Sequence, residues 1–270
     1  MFCEKCGACL DDDANFCERC GNKIVQNDIK TILKESKKTH KKIDKRIVLM
    51  TSLIVCIVVV FIFVMNTQKK DNSFKNVMVG DIVTFGTYEQ DNNLNNGKED
   101  IEWKVLDVKN GKALLISKYV LDSKAYHKNL EDVTWETCSL RKWLNSDFVS
   151  TAFTNKEQSM ISITNVTADK NPEYDTSPGK ETKDKVFLLS IDEINKYFKS
   201  NYDSACRATN FVIENDCRND NGYCFWWSRS PGKNQDLVAI IDSSGGVYKS
   251  GFLVYYDYYG VRPALWLNLE

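Results

Sequence analysis

Residues 47–65 read IVLMTSLIVCIVVVFIFVM and contain no charged side chain. A helix of this length is roughly 28 Å long at about 1.5 Å per residue, close to the ~30 Å hydrocarbon core of a bilayer. Fourteen of the residues are Leu, Ile, Val or Phe. Together they favour insertion by roughly 4–8 kcal/mol, and only Thr51 and Ser52 oppose it. The stretch therefore predicts a membrane-spanning helix.

Other interpretations of this stretch fit less well. A strand usually has about 4–8 residues, which is much shorter. A cleavable signal peptide starts near the N-terminus and ends at a small-residue site, whereas 46 residues precede this stretch,. A buried core helix is the remaining alternative.

The charges that flank the stretch predict its orientation. Residues 37–46 contain six Lys or Arg, whereas only Lys69 and Lys70 follow closely, before Asp71. Because cytoplasmic flanks carry the excess of basic residues, we expect the N-terminus in the cytoplasm and residues 66–270 outside the cell.

Two C-x2-C pairs near the N-terminus are separated by ten residues and are formed by Cys3, Cys6, Cys17 and Cys20. A glycine follows each pair, where a tight turn favours positive φ. Four thiolates around a tetrahedral ion are typical of a closed structural zinc site. So short a segment cannot bury a core of its own, and zinc binding, worth roughly 10–16 kcal/mol, would drive its folding.

Two disulfides would suit the same spacing, but the predicted topology places these cysteines in the reducing cytosol. Cys9 could compete as a ligand, and we expect it to be spare because Cys3 and Cys6 match the second pair. Residues 1–24 have three basic and five acidic side chains. Nucleic acid binding needs a basic surface, so it is not expected. The segment from Phe2 to Lys23 resembles the short zinc ribbon of bacterial membrane proteins, which implies a cytoplasmic protein partner or a folded stub.

The linker at residues 25–46 has eight basic and three acidic residues. Ile29, Ile32 and Leu33 have the spacing of a short amphipathic helix. The linker either is solvated and only sets the topology, or binds anionic membrane lipid at about 1 kcal/mol per basic residue.

The outer part combines strand and helix signals. Alternating residues and an Asn110-Gly111 turn predict a hairpin, and two capping boxes, Thr154 to Glu157 and Ser190 to Glu193, predict helix starts. A further helix is predicted around Leu140 to Phe148. Strands are predicted at residues 80–86, 101–105, 113–117, 185–190, 223–227, 237–241, from 247, 252–256 and 261–267. Helices placed early and strands placed late indicate an α+β fold rather than a wound parallel sheet.

Four motifs carry a resemblance over nearly the whole outer part. They start at Gly80 (GDIVTFG), Thr134 (TWETCSLRKWLN), Trp226 (WWSRSPG) and Gly260 (GVRPAL). They resemble an uncharacterised extracytoplasmic domain of Gram-positive bacteria, which implies a fold and a location but no established activity. The ending is also similar to that of formylglycine-generating enzymes and other C-type-lectin-like folds, whose last strand carries a similar Gly-x-Arg.

Candidate catalytic side chains are few in this part. His127 has no evident partner in the sequence, and Cys138 is either a nucleophile near a helix N-terminus or a small buried thiol, which its aromatic neighbours favour. Cys138, Cys206, Cys217 and Cys224 allow three disulfide pairings. Cys217 with Cys224 is our first choice, because the pair encloses a short Asn/Asp/Gly-rich loop.

Aromatic and basic residues late in the sequence are candidates for a binding groove. Flat amphipathic rings suit wet recognition surfaces, and the candidates are Trp226, Trp227, Arg229, Tyr255, Tyr256 and Arg262. In the alternative interpretation, about half of the aromatic residues form core and the two arginines hold loops through carbonyl groups.

The sequence thus predicts a zinc ribbon (1–24), a basic juxtamembrane linker (25–46), a transmembrane helix (47–65), a stalk (66–76) and an extracytoplasmic α+β domain, C-type-lectin-like in the resemblance (77–270). We expect a single-pass protein of the cell membrane. Its outer domain is expected to act in binding or scaffolding, without catalysis, and its partner to be a carbohydrate, a cell-wall component or a surface protein. The alternatives are an outward-facing enzyme on a formylglycine-generating-enzyme-like fold and a transmembrane signalling link.

Overall fold

The computed structural model describes residues 76–269, Phe74 and, near the N-terminus, residues 5–6, 8–9, 15–21 and 23. The predicted membrane helix at 47–65 and the basic linker at 25–46 lie outside the described residues. Among the residues that are described, no helix has both the length and the apolar content needed to cross a bilayer. The chain forms two compact units, Met1–Gln68 and Lys69–Glu270.

The second unit is a mixed α+β structure in which sheet predominates. Its strands are β1 (Ile82–Tyr88), β2 (Glu99–Lys109), β3 (Lys112–Ser117), β4 (Asp122–Ser123), β5 (Thr164–Val166), β6 (Thr182–Asp184), β7 (Val186–Phe187), β8 (Cys206–Arg207), β9 (Asn219–Asp220), β10 (Tyr223–Cys224), β11 (Trp226–Pro231), β12 (Leu237–Ile241), β13 (Val247–Leu253), β14 (Gly260–Val261) and β15 (Ala264–Asn268). Its helices are α1 (Ser139–Trp143), α2 (Val149–Ala152), α3 (Asn155–Met160), α4 (Ile191–Tyr197), α5 (Asn201–Ser204) and α6 (Asn210–Glu214), with a π-helical turn (Leu144–Phe148) between α1 and α2.

Two five-stranded sheets organise the domain. The first has the order β1-β2-β3-β15-β7 and is antiparallel throughout. The second has the order β13-β12-β11-β14-β4, with β11 and β14 parallel. Strands β8, β10 and β9 form a third, small sheet, and β5 pairs with β6.

The hairpin between β2 and β3 confirms the predicted turn. Asn110 has φ of 51° and Gly111 of 69°, the two positive values that a type I′ turn requires. Directly after the turn, Lys112 pairs with Lys109. The turn therefore fixes the register of the two strands.

The predicted helix starts are also confirmed. Thr154 and Ser190 each accept a hydrogen bond from the backbone N–H three residues on, and Glu157 and Glu193 return the contact to the cap backbone. The helical stretch after Cys138 buries Leu140 along with other apolar residues, as expected, but continues through the π-helical turn.

Three details of the predicted arrangement were wrong. The strand predicted at 252–256 ends at Leu253, where the chain turns, and the one predicted at 185–190 contains only Val186–Phe187. Phe74, assigned to the stalk, is buried and its ring lies 5.9 Å from that of Phe85, so the folded domain begins before residue 77.

Candidate functional site

Three of the four predicted zinc ligands lie together in the first unit. The sulfur atoms of Cys6, Cys17 and Cys20 all lie within 4.8 Å of one another, and those of Cys6 and Cys17 are 3.6 Å apart. Gly21 has φ of 67° and donates its N–H to the carbonyl of Cys17 at 2.8 Å. This turn folds the second C-x2-C pair back on itself.

The spacing of the sulfur atoms fits the predicted ion. Zinc–thiolate bonds of about 2.3 Å in a tetrahedron place sulfur atoms about 3.8 Å apart. Cys3, the fourth predicted ligand, lies outside the described residues. Cys9 is exposed and does not belong to the cluster that the described residues form. The donor set is thus soft and suits a structural zinc ion.

In the second unit, both tryptophans of the predicted binding groove lie in the core instead. Trp226 and Trp227 have no exposed surface. Their indole N–H groups donate to the carbonyls of Ser204 at 3.3 Å and Lys124 at 2.8 Å. The prediction that they line a surface groove was wrong because every residue of β11 is buried, on both faces of the strand.

Arg229 is a structural residue rather than part of an open groove. It is 4% exposed, and its guanidinium forms ion pairs with Glu193 and with Asp169, the latter at 2.7 Å. It also donates to the Leu188 carbonyl at 3.0 Å. Through these contacts Arg229 holds β11 against the start of α4.

Arg262 has a similar role in the core. It is 3% exposed and donates to the carbonyls of Ser117 and Ser204 at 3.0 and 3.1 Å. Its guanidinium lies 5.1 Å from the ring of Trp226, and burial lowers its pKa. Both arginines therefore follow the alternative interpretation, in which they hold loops through carbonyl groups.

Tyr255 and Tyr256 are the predicted contact residues that remain at the surface. We define the tyrosine surface as Tyr248, Phe252, Tyr255, Tyr256 and Tyr258. Neighbouring ring centroids in it are 4.7 to 5.0 Å apart, and Tyr248 and Tyr255 are 49% and 40% exposed.

A buried layer supports the tyrosine surface from below. The ring of Tyr259, which has no exposed surface, lies 5.4 Å from that of Phe252. The Tyr259 hydroxyl accepts a hydrogen bond from the Arg218 guanidinium at 3.0 Å. Packing against buried Tyr259 therefore restricts the positions of these rings in the absence of a ligand.

The cysteines of the second unit include one disulfide and two buried thiols. Cys217 is bonded to Cys224, which confirms the pairing chosen from the sequence. Cys138 and Cys206 are buried thiols. Burial raises the pKa of Cys138 to about 12, and it also raises the pKa of Cys206. Neither thiol is therefore an activated nucleophile.

His127 has partners that the sequence analysis missed. Its Nε2 lies 2.5 Å from a carboxylate oxygen of Glu131, four residues on, and its Nδ1 accepts the backbone N–H of Ser139 at 3.1 Å. The spacing of four residues between His127 and Glu131 was the signal available in the sequence.

The motif around Trp135 converges on a buried carboxylate. The side chain of Asp184 has no exposed surface. It accepts hydrogen bonds from Trp135 Nε1 at 3.0 Å, Arg141 Nε at 2.7 Å and Thr182 Oγ1 at 2.6 Å. The motif therefore joins the helical segment to β6 and is structural.

Comparison with known proteins identifies the domain. Neither the curated proteins nor the solved structures include a significant match. A family described as "Domain of unknown function (DUF6273)" matches residues 110–269. That segment contains the whole second sheet and three of the five strands of the first, and it covers more than half of the chain. The chain therefore belongs to the DUF6273 family.

Proposed function

We propose that this chain is a single-pass membrane protein that binds one structural zinc ion in the cytoplasm. Its DUF6273 domain is held outside the cell, on a C-type-lectin-like fold, and binds a carbohydrate or cell-wall component. The uncharged stretch at 47–65 and the basic residues before it support the anchor and its orientation,. The ending Gly260-Val261-Arg262 supports the lectin-like fold.

The thiol cluster supports the zinc site. Three sulfur atoms converge without a disulfide between any of them, and Cys3 would supply the fourth ligand. Zinc bound by four thiolates has no open coordination position, so its role is to fold the ribbon. The folded ribbon is then a compact cytoplasmic contact for a protein partner.

The tyrosine surface is the observation that carries the binding function. Exposed rings with polar edges can stack on sugar rings while their hydroxyl groups form hydrogen bonds. Buried Tyr259 packs against Phe252, Tyr256 and Tyr258 and so restricts these rings, which reduces the conformational entropy lost on binding,. The disulfide between Cys217 and Cys224 suits an oxidising location,.

The alternative of a thiol-dependent enzyme has less support. Such an enzyme needs an accessible, ionisable cysteine in a cleft. Cys138 has no exposed surface and a raised pKa, and Cys224 is in a disulfide. The binding function is therefore the one that the geometry favours.

A glycan and cell-wall-fragment array tests the binding function. The compact unit, residues 69–270, is expected to bind a subset of the array, and Tyr255→Ala/Tyr256→Ala should abolish that signal. Tyr202→Ala is the matched control, because Tyr202 is 81% exposed and lies outside the tyrosine surface. No binding to any fragment, or equal binding by the double variant, would refute the proposal.

Protease treatment of intact cells tests the topology. Added protease should degrade the DUF6273 domain and leave the cytoplasmic ribbon intact. The opposite pattern would reverse the proposed orientation.

A further inference from the structure

A second cleft lies away from the tyrosine surface and has a different chemistry. Its volume is about 510 Å³. The β2–β3 hairpin, the β5 strand and helix α4 form its walls, and Trp266 of β15 lies among its lining residues. We define the lysine cleft by Lys109, Lys112, Lys196, Tyr197 and Trp266. It shares no residue with the tyrosine surface.

The three ammonium groups of the lysine cleft are held in place by its other residues. Lys112 Nζ donates to Ser162 Oγ at 2.8 Å, and Lys196 Nζ donates to the hydroxyl of Tyr197 at 3.1 Å. Lys109 Nζ lies 4.8 Å from the centroid of the Trp266 ring. Cations and aromatic rings are therefore adjacent within one concave site.

The positive charge of this cleft is only partly compensated. Lys109 lies 3.5 Å from Asp107. Lys112 and Lys196, by contrast, form no ion pair within the described part of the chain. Glu193 also lines the cleft, and its carboxylate shares the buried guanidinium of Arg229 with Asp169. The three lysines of the cleft thus outnumber the two carboxylates closest to them, those of Asp107 and Glu193.

The cleft also differs in charge from the domain around it. Residues 66–270 contain 25 basic and 29 acidic residues. A concave site with three lysines is thus a local positive region on an acidic domain. Such a region attracts anions, and the effect weakens as salt screens it.

We propose that the lysine cleft binds an acidic saccharide. The sugar ring stacks on Trp266 and Tyr197, and its carboxylate or phosphate is bound by Lys112 and Lys196. Thr164 and Asn165 of β5, which also line the cleft, supply hydroxyl and amide groups for the hydroxyl groups of the ring. The ammonium groups favour an acidic sugar over a neutral one. The aromatic rings and the small polar groups favour a sugar over a bare anion.

Calorimetry on the full-length chain in detergent tests the proposal with named probes. The acidic probes are tetragalacturonate and glucose 6-phosphate, which separate a carboxylate from a phosphate ligand. The controls are fully methyl-esterified tetragalacturonate, glucose and inorganic phosphate. We expect at least one acidic sugar to bind, its uncharged counterpart and inorganic phosphate to bind at least tenfold more weakly, and the affinity to fall as salt rises.

Matched variants locate the site. Lys112→Gln/Lys196→Gln should weaken binding of the acidic sugar at least tenfold, whereas Lys142→Gln/Lys183→Gln, two exposed lysines outside the cleft, should leave the affinity within twofold. The thermal unfolding midpoint of each variant checks that it is folded. Failure of both acidic sugars to bind would overturn the proposal, as would equal binding of the uncharged sugar or inorganic phosphate, or equal effects of the two double variants.

Discussion

Replacement of Asp184 by alanine should strongly destabilise the DUF6273 domain. The carboxylate is buried and accepts three hydrogen bonds, from Trp135, Arg141 and Thr182. Its removal leaves the buried indole N–H without its partner, which costs about 1–3 kcal/mol. Removal of one member of a buried ion pair typically costs about 3–5 kcal/mol.

The structure indicates a value toward the lower end of this range. The Arg141 side chain is 22% exposed and also donates to the Glu136 carbonyl at 3.1 Å, so that water and this carbonyl compensate part of the loss. We therefore expect Asp184→Ala to lower the free energy of unfolding by about 3–4 kcal/mol. Asp184→Asn, which keeps one oxygen acceptor, should cost roughly half as much.

Urea unfolding of residues 69–270, followed by tryptophan fluorescence, measures these changes. Asp175→Ala is the control, because that carboxylate is 94% exposed and pairs with Lys170 at the surface. It should change the free energy of unfolding by less than about 0.5 kcal/mol. A loss below about 1 kcal/mol for Asp184→Ala would refute the argument that this carboxylate organises the motif.

The remaining predictions concern the metal, the thiols and pH. Metal analysis of the full-length chain should find one zinc ion. The Cys17→Ser variant should lose this ion, whereas the Cys9→Ser variant should retain it. Loss of zinc from the Cys9→Ser variant would contradict the assigned ligands. Iodoacetamide at pH 8 should leave the native DUF6273 domain unlabelled. Unfolding without reductant should expose two thiols, those of Cys138 and Cys206. Labelling of either thiol in the native state would contradict their burial. Burial raises the pKa of Asp122, so the folded state favours its protonated form. The contribution of this carboxyl group to stability is therefore complete below its pKa in the unfolded state. It is lost as the pH rises through its pKa in the folded state. The stability of the wild type relative to Asp122→Asn should therefore fall as pH rises from about 3.5 toward neutral, and a rising difference in urea unfolding would contradict the assigned direction.

Local chemistry explains which parts of the fold could be predicted from the sequence. The Asn110-Gly111 turn and the two capping boxes depend on residues within three or four positions of one another. The Cys217–Cys224 disulfide likewise closes a short loop. Each of these features is specified by a segment that folds in nearly the same way in many proteins.

Burial on both faces of a strand could not be predicted in the same way. In β11, alternation predicts that one of Trp226 and Trp227 faces solvent, but all six residues of the strand are buried and helix α4 packs against it. Arg229 was misassigned for the same reason, since its partners Asp169 and Glu193 are distant in sequence. Such contacts depend on which elements pack together, and no periodicity of a single segment records this.

The lysine cleft was missed because its residues come from separate segments. Lys109 and Lys112 flank a hairpin turn, Lys196 belongs to α4, and Trp266 belongs to β15. Only the insertion of β15 beside β3 brings them together. In contrast, the proximity of Cys6, Cys17 and Cys20 could be predicted, because two C-x2-C pairs have a recognisable spacing in the sequence,.

The position of β15 has a consequence for biosynthesis. Leu265 and Leu267 of this strand have no exposed surface, and the strand bridges β3 to β7. Until the ribosome has released Ala264–Asn268, an apolar edge of β3 has no neighbour. The first sheet therefore cannot close until this strand has been made, and products terminated before it are prone to aggregate.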